Sequence, residues 1–151
     1  MTDAEIRVGE VMRTEVITLS MDEHLVLASD LMKLGRLRHM PVLSEGRLVG
    51  IVTQRDLFRA AVSSVLGVRP VAERDWLAKI RVEDVMTKPV FTAARDWTVR
   101  QAVDVMLQHG IGCLPVVEGE RLVGLLSETD CLQLLTRLLP PLGNPAGAAP
   151  S

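Results

Sequence analysis

The sequence predicts an α/β fold in which two strand–helix–strand–strand–helix repeats pack with pseudo-twofold symmetry. The first observation is an internal repeat: residues 8–58 fall on residues 82–132 without a gap, and about a third of the aligned positions are identical. Repeats are sought before other signals because each unit is a set of elements that must bury its apolar face on a neighbour. Two units are too few for a solenoid, so they share one face. The second observation is that helical and extended apolar patterns alternate in the same order in both halves. The third is composition: the 151 residues are 48% hydrophobic but 3% aromatic, without Tyr, so the core is aliphatic. A unit of about 50 residues buries too little surface to stand comfortably alone, and two fused units escape that limit.

The first repeat spans residues 1–66, beginning with a short polar lead. Val16-Ile17-Thr18 reads as extended. Asp22 is placed to cap a helix carrying Leu25, Ala28, Leu31, Met32 and Leu34 at helical spacing, and Gly35 supplies a stop. Met40-Pro41-Val42-Leu43 forms a strand, with Pro41 tolerable near the start of an edge strand. A turn at Ser44–Arg47 leads into Leu48–Val52, a second apolar strand. Thr53 caps a helix running through Phe58 to about Leu66.

Residues 67–79 connect the repeats, with one helical turn expected over Ala72–Leu77. The second repeat, residues 80–139, keeps the order. Val90-Phe91-Thr92 is extended; Thr98 and Gln101 form a capping box for a helix with Val99, Ala102, Val103 and Met106 on one face. Leu114–Val117 and Leu122–Leu126 make the hairpin, and Ser127 caps a last helix to about Leu139. Residues 140–151, rich in Pro, Gly and Ala, cannot pack a core and are expected to be a disordered tail.

Composition excludes several functions. A net charge of −2 provides no basic face for nucleic acid. No signal segment and no membrane-length apolar run is seen, so a soluble, cytoplasmic protein is expected. In that compartment Cys113 and Cys131 stay reduced and act as small buried hydrophobes. His24, His39 and His109 lack ligand spacing with the cysteines, so no metal site is indicated. No nucleophile–base arrangement can be nominated, and the chain is expected not to be an enzyme. Asp30 and Asp104 lie on polar helix faces and are expected to be solvated, while Trp76 and Trp97 cover core edges or dimer contacts.

Certain strings of residues carry a resemblance. Val11-Met12 and Asp84-Val85-Met86-Thr87 begin the repeats, and Met40-Pro41-Val42 and Leu114-Pro115-Val116 form their middle strands. Gly50-Ile51-Val52-Thr53-Gln54-Arg55-Asp56 and Gly124-Leu125-Leu126-Ser127-Glu128-Thr129-Asp130 are the most specific. Together they resemble the paired CBS domain, named after cystathionine β-synthase, over about residues 6–136. The resemblance implies a disc-shaped pair with two clefts at the repeat interface. It further implies binding of an adenine nucleotide (AMP, ADP, ATP) or S-adenosylmethionine as a regulatory ligand, with no obligatory cofactor. A homodimer formed through the helices and a separate regulated protein are the partners implied.

The residue chemistry suits such a site. Thr53 with Asp56, and Ser127 with Asp130, stand at helix N-termini, where unpaired N–H groups and a partial positive charge attract anions. An ionised Asp accepts hydrogen bonds from a ribose diol. The same spacing also describes a helix start that merely caps itself. In the first repeat the expected ligand set is Thr18, Arg36, Arg38, His39, Met40, Pro41, Thr53, Arg55 and Asp56. In the second it is Thr92, Gly112, Cys113, Leu114, Pro115, Ser127 and Asp130. The segments Val16-Ile17 and Val90-Phe91 are placed to sandwich a flat base. The clefts differ: Arg36, Arg38 and His39 precede Pro41, whereas Gly110, Gly112 and Cys113 precede Pro115. Arg55 likewise faces Thr129 in the alignment. A phosphate is therefore expected beside Arg36, Arg38 or His39. The rival reading is a scaffold of the same fold that only dimerises.

Overall fold

A computed structural model of the chain describes residues 5–66 and 72–141, with Gly143 and Pro150. The expected disordered tail lies largely outside the described residues. Repeat 1 contains α1 (Val8–Val11), β1 (Leu19–Ser20), α2 (Leu25–Gly35), β2 (His39–Ser44), β3 (Arg47–Thr53) and α3 (Gln54–Leu66). The connection holds α4 (Glu73–Leu77). Repeat 2 has a 3₁₀ turn at Val82–Asp84, then α5 (Val99–His109), β4 (Cys113–Glu118), β5 (Arg121–Ser127) and α6 (Glu128–Leu138). Among the described residues no helix is long and apolar enough to cross a membrane.

One five-stranded sheet runs through both repeats in the order β1-β2-β3-β5-β4. Only β1 and β2 are parallel. The repeats join where Arg47 on β3 faces Arg121 on β5, and Leu48 N–H donates to the Glu120 carbonyl at 3.1 Å. The β2–β3 hairpin turns at Glu45-Gly46, both at positive φ, as a two-residue turn between twisted strands requires.

Several local expectations are corrected. Val16–Thr18 and Val90–Thr92 stop just short of the sheet: Leu19 is the first residue paired, opposite Val42, and Ala93 makes the matching bridge to Val116. Leu19 and Ala93 are the residues that drop into the core, so pairing starts there. Pro41 is not on an edge strand, since β2 lies between β1 and β3; it is tolerated because β1 pairing begins only at Val42. Asp22 does not cap α2. It accepts from Arg81 Nη2 at 3.2 Å, while His24 holds the cap position without a side-chain bond. Asp30 is not simply solvated: Arg74 grips it through two hydrogen bonds, 2.7 and 3.0 Å long.

The starts of α2 and α5 are both tied down by an exchange of leads. Leu25 N–H donates to the carbonyl of Ile80 at 2.8 Å, from the lead of repeat 2. In the mirror position, Val99 N–H of α5 donates to the carbonyl of Ile6 at 2.8 Å, from the lead of repeat 1. Each lead continues across the other repeat. Val82, Val85 and Met86 pack with Leu25, Ala28 and Val52, whereas Val8, Val11 and Met12 pack with Ala102, Leu114 and Leu126. Thr87 and Ile51 bond through their backbones at 2.8 and 3.1 Å, and Arg13 and Leu125 do so at 2.9 Å both ways. Gly50 and Gly124 permit the crossing, because a β-carbon there would collide with Met86 and Met12 respectively.

Candidate functional site

The sequence places a hydroxyl residue at the end of each inner strand and an Asp three residues later. At α3, Asp56 N–H donates to Thr53 Oγ1 at 3.2 Å and Thr53 N–H donates to Asp56 Oδ2 at 2.9 Å. At α6 the same reciprocal pair joins Ser127 and Asp130, at 3.2 and 2.9 Å, and the Ser127 hydroxyl also donates to Asp130 Oδ2 at 2.8 Å. Both helix starts therefore cap themselves. Both acids are nevertheless 7% exposed, and each meets a further group from the lead of the other repeat.

That further group separates the two sites. Thr87 brings its hydroxyl to 3.4 Å from Asp56 Oδ2. Arg13, the equivalent position in the other lead, brings Nε to 3.4 Å from Asp130 Oδ1 and donates from Nη2 to Ser127 Oγ at 3.3 Å. An ionised carboxylate offers about four acceptor positions. Asp56 keeps acceptor capacity and no cation pairs with it among the described residues, whereas Asp130 already has its counter-charge.

A cavity of about 1280 Å³ opens beside Asp56. Thr53, Asp56 and Thr87 line it beside the capped start of α3, and Arg38, His39, Arg55 and Arg59 add basic side chains to its wall. Pro89, Val90, Phe91 and Ile111 add apolar lining, and Gly112, Cys113 and Glu128 line it from the second repeat. The cavity continues into a groove between α5 and α6 past Leu107, Leu132 and Leu135. Phe91 stacks on His109 with ring centroids 4.0 Å apart. A β-carbon at Gly112 would come within 2.9 Å of Glu128 Oε1, the movable end of that side chain.

Of the residues nominated from sequence, Arg38, His39, Thr53, Arg55, Asp56, Gly112 and Cys113 line this cavity, as do Val90 and Phe91. Met40, Pro41, Leu114 and Pro115 do not, because they are wholly buried in the sheet core. Arg36 does not line it either; it is the exposed left-handed cap of α2, with φ 52°. Thr18 and Thr92 stand before the first paired residues and line no part of it, and neither do Val16 and Ile17. Ser127 and Asp130 lie outside it, bonded to Arg13. Sequence reasoning missed Thr87, Arg59 and Glu128 in the lining, and Arg13 as the partner of Asp130. Arg59 carried a signal, standing one helical turn after Arg55.

The local electrostatics follow from burial. The His39 imidazole is held below its usual pKa chiefly by burial; Arg38 and Arg13 add to this and Glu128 opposes it. Burial pushes the Cys113 thiol up to about 12, and also raises Cys131. Both cysteines are free. Among the described residues, no three His, Cys, Asp or Glu side chains converge on a metal position.

Comparisons with known proteins agree with this architecture. The CBS domain family model matches residues 8–63 and 82–137. The crystal structure of an acetoin utilization protein (AcuB, so described) from Vibrio cholerae superposes with a TM-score of 0.75 at 31% identity, covering 89% of this chain and 93% of that one. The CBS domain pair of protein MJ0100, solved with 5′-methylthioadenosine and S-adenosyl-L-methionine, superposes with a TM-score of 0.77 at 25% identity, covering 89% of this chain and 99% of that one. Protein MJ1225 of Methanocaldococcus jannaschii is 30% identical over 128 residues, 83% of this chain but 46% of its own length. This chain thus spans about half the length of that curated relative. The doubled motif, the exchanged leads and the matched family model together make this chain a member of the CBS domain family.

Proposed function

We propose that the chain is a regulatory module that reversibly binds an adenosine-containing ligand in the cavity beside Asp56. The observation that carries this is the difference between the two buried acids: Asp56 faces a large cavity with only hydroxyl and amide partners, while Asp130 is neutralised by Arg13. The ribose diol donates to Asp56, and the base lies against Val90, Phe91 and Ile111. The MJ0100 domain pair, described with two adenosine-containing ligands, supports that ligand class. The ligand acts as a signal rather than a cofactor. It biases a partner protein, or a homodimer, only as far as it binds two states with different affinity. The cytoplasm is the compartment in which such nucleotides and reduced cysteines occur together.

Calorimetric titration of adenosine and its nucleotides into wild type, Asp56→Ala and Asp130→Ala tests the assignment. Binding lost in Asp56→Ala and kept in Asp130→Ala is expected. Binding lost only in Asp130→Ala would move the ligand to the other cleft.

A second reading has its own observation. Leu107, Leu132 and Leu138 on α5 and α6 are 77, 61 and 62% exposed. A scaffold that dimerises through these helices needs no ligand. Failure of every adenosine compound to bind, with a dimer that Leu132→Asp disrupts, would favour it.

A further inference from the structure

The described arginines fall into two groups. Eight hold an acidic side chain, from Arg7 on Glu5 to Arg121 on Glu118. Among the described residues Arg36, Arg38, Arg55, Arg59 and Arg137 make no ion pair, and three of these, Arg38, Arg55 and Arg59, line the one cavity beside Asp56. Arg55 and Arg59 are four residues apart on α3, so their side chains leave the same face of the helix. Like charges at that spacing repel and weaken a helix. Arg38 joins them at the N-terminal end, where its carbonyl accepts the Gln54 N–H at 2.9 Å, and that end of α3 adds its own partial positive charge. Glu128 lines the same cavity but pairs with none of the three.

The second repeat has no counterpart to this wall. Its equivalent positions are Gly112, Thr129 and Gln133. A single phosphate is satisfied by one guanidinium fork and a helix N-terminus. Arginines separated by a full turn of α3, about 6 Å along its axis, match an anion extended in the same direction. A cationic ligand arm, such as a sulfonium, meets repulsion on that wall.

We propose that the Asp56 cavity selects a nucleotide with two or more phosphates, whose phosphate chain runs along Arg38, Arg55 and Arg59. This rests on the reading of Asp56 as the ribose site, and inorganic tripolyphosphate separates the two. The experiment titrates adenosine, AMP, ADP, ATP, S-adenosylmethionine and tripolyphosphate into nucleotide-free protein, as wild type, Asp56→Ala and Arg55→Ala/Arg59→Ala. Affinity should rise at least about ten-fold from AMP to ADP or ATP, with a steep decline in added salt. The double arginine variant should lose at least about ten times more affinity for ATP than for adenosine. Tripolyphosphate should still bind Asp56→Ala and fail to bind the arginine variant. Arg55→Gln/Arg59→Gln, which keeps side-chain length, should repeat the loss if the first variant is poorly folded.

AMP or S-adenosylmethionine binding as tightly as ATP would overturn the proposal while leaving the ribose site intact. Tripolyphosphate binding without any adenosine compound would sustain the anion wall and remove the ribose reading. An arginine variant with unchanged ATP affinity would overturn the phosphate assignment outright.

Discussion

Arg13 crosses from the first repeat to sit on Asp130 of the second, with Nε 3.4 Å from Oδ1. At the equivalent place in the other cleft, Thr87 gives Asp56 only a hydroxyl. One position in the lead therefore decides whether the buried acid behind it is neutralised in advance.

Removing Arg13 should destabilise the fold more than removing the Thr87 hydroxyl. Arg13→Ala leaves a buried carboxylate without its cation; because Arg13 is half exposed, the loss is set at the low end, about 1 kcal/mol. Thr87→Val, which loses one long hydrogen bond, should cost less than about 0.5 kcal/mol. Urea denaturation distinguishes them, and equal losses would show that the guanidinium does not support Asp130.

The two crossing glycines should respond differently to alanine. The three atoms nearest a β-carbon at Gly50 all belong to the Met86 side chain, so adding Met86→Ala, which removes the two closest, should recover part of the loss. At Gly124 the new methyl also lies 2.9 Å from the carbonyl oxygen of Arg13, which cannot turn away. Gly124→Ala should cost about 1–3 kcal/mol, with little rescue by Met12→Ala. Equal rescue at both sites in chemical denaturation would refute this asymmetry.

His39 makes stability depend on pH in a stated direction. Its native pKa lies below the ordinary value of 6.5, so between the two values the unfolded chain binds more protons than the folded one. Stability then rises with pH across that window and falls on acidification through 6.5, levelling off below the native pKa. The difference between wild type and His39→Gln, followed by thermal melting from pH 7.5 down to 5, should trace this curve. A flat difference would remove burial as the cause. If phosphates also pass His39, ATP affinity should increase toward acid pH in wild type and lose that increase in the variant.

The cysteines should resist modification unequally. With its pKa near 12, Cys113 presents about one thiolate in ten thousand at pH 8 and is buried besides. Cys131 is half buried on α6 and should react first with a disulfide reagent, as followed by mass spectrometry. Faster labelling of Cys113 would mean that the cavity opens far enough to expose β4.

Much of this was legible in the sequence because it was local. The caps at Thr53, Thr98 and Ser127 are contacts over three residues, and the hairpins announce themselves by apolar runs around Gly-containing turns. Asp56 was found because the duplicated motif singles it out, and Arg38 and His39 because the second repeat has Gly112 and Cys113 in their places. The role of Arg13 was not legible, since it depends on a lead that packs on the other repeat, 114 residues from its hydrogen-bond partner. The same exchange misled the expectation at Asp22, whose carboxylate is taken up by Arg81 from the lead of the other repeat. Arg36 looked equivalent to Arg38, yet only Arg38 lines the cavity.

The crossed leads also bear on how the two halves came to differ. Neither repeat closes its own core, because Val8 completes one half and Val82 the other. Two separate copies of one repeat could close only by lending each other identical strands, and any substitution would then appear in both clefts at once. A continuous chain lifts that constraint. One lead can carry Arg13 where the other carries Thr87, and one strand entry Arg38 where the other has Gly112, so each half inherits its own chemistry while the mutual embrace that holds them is kept.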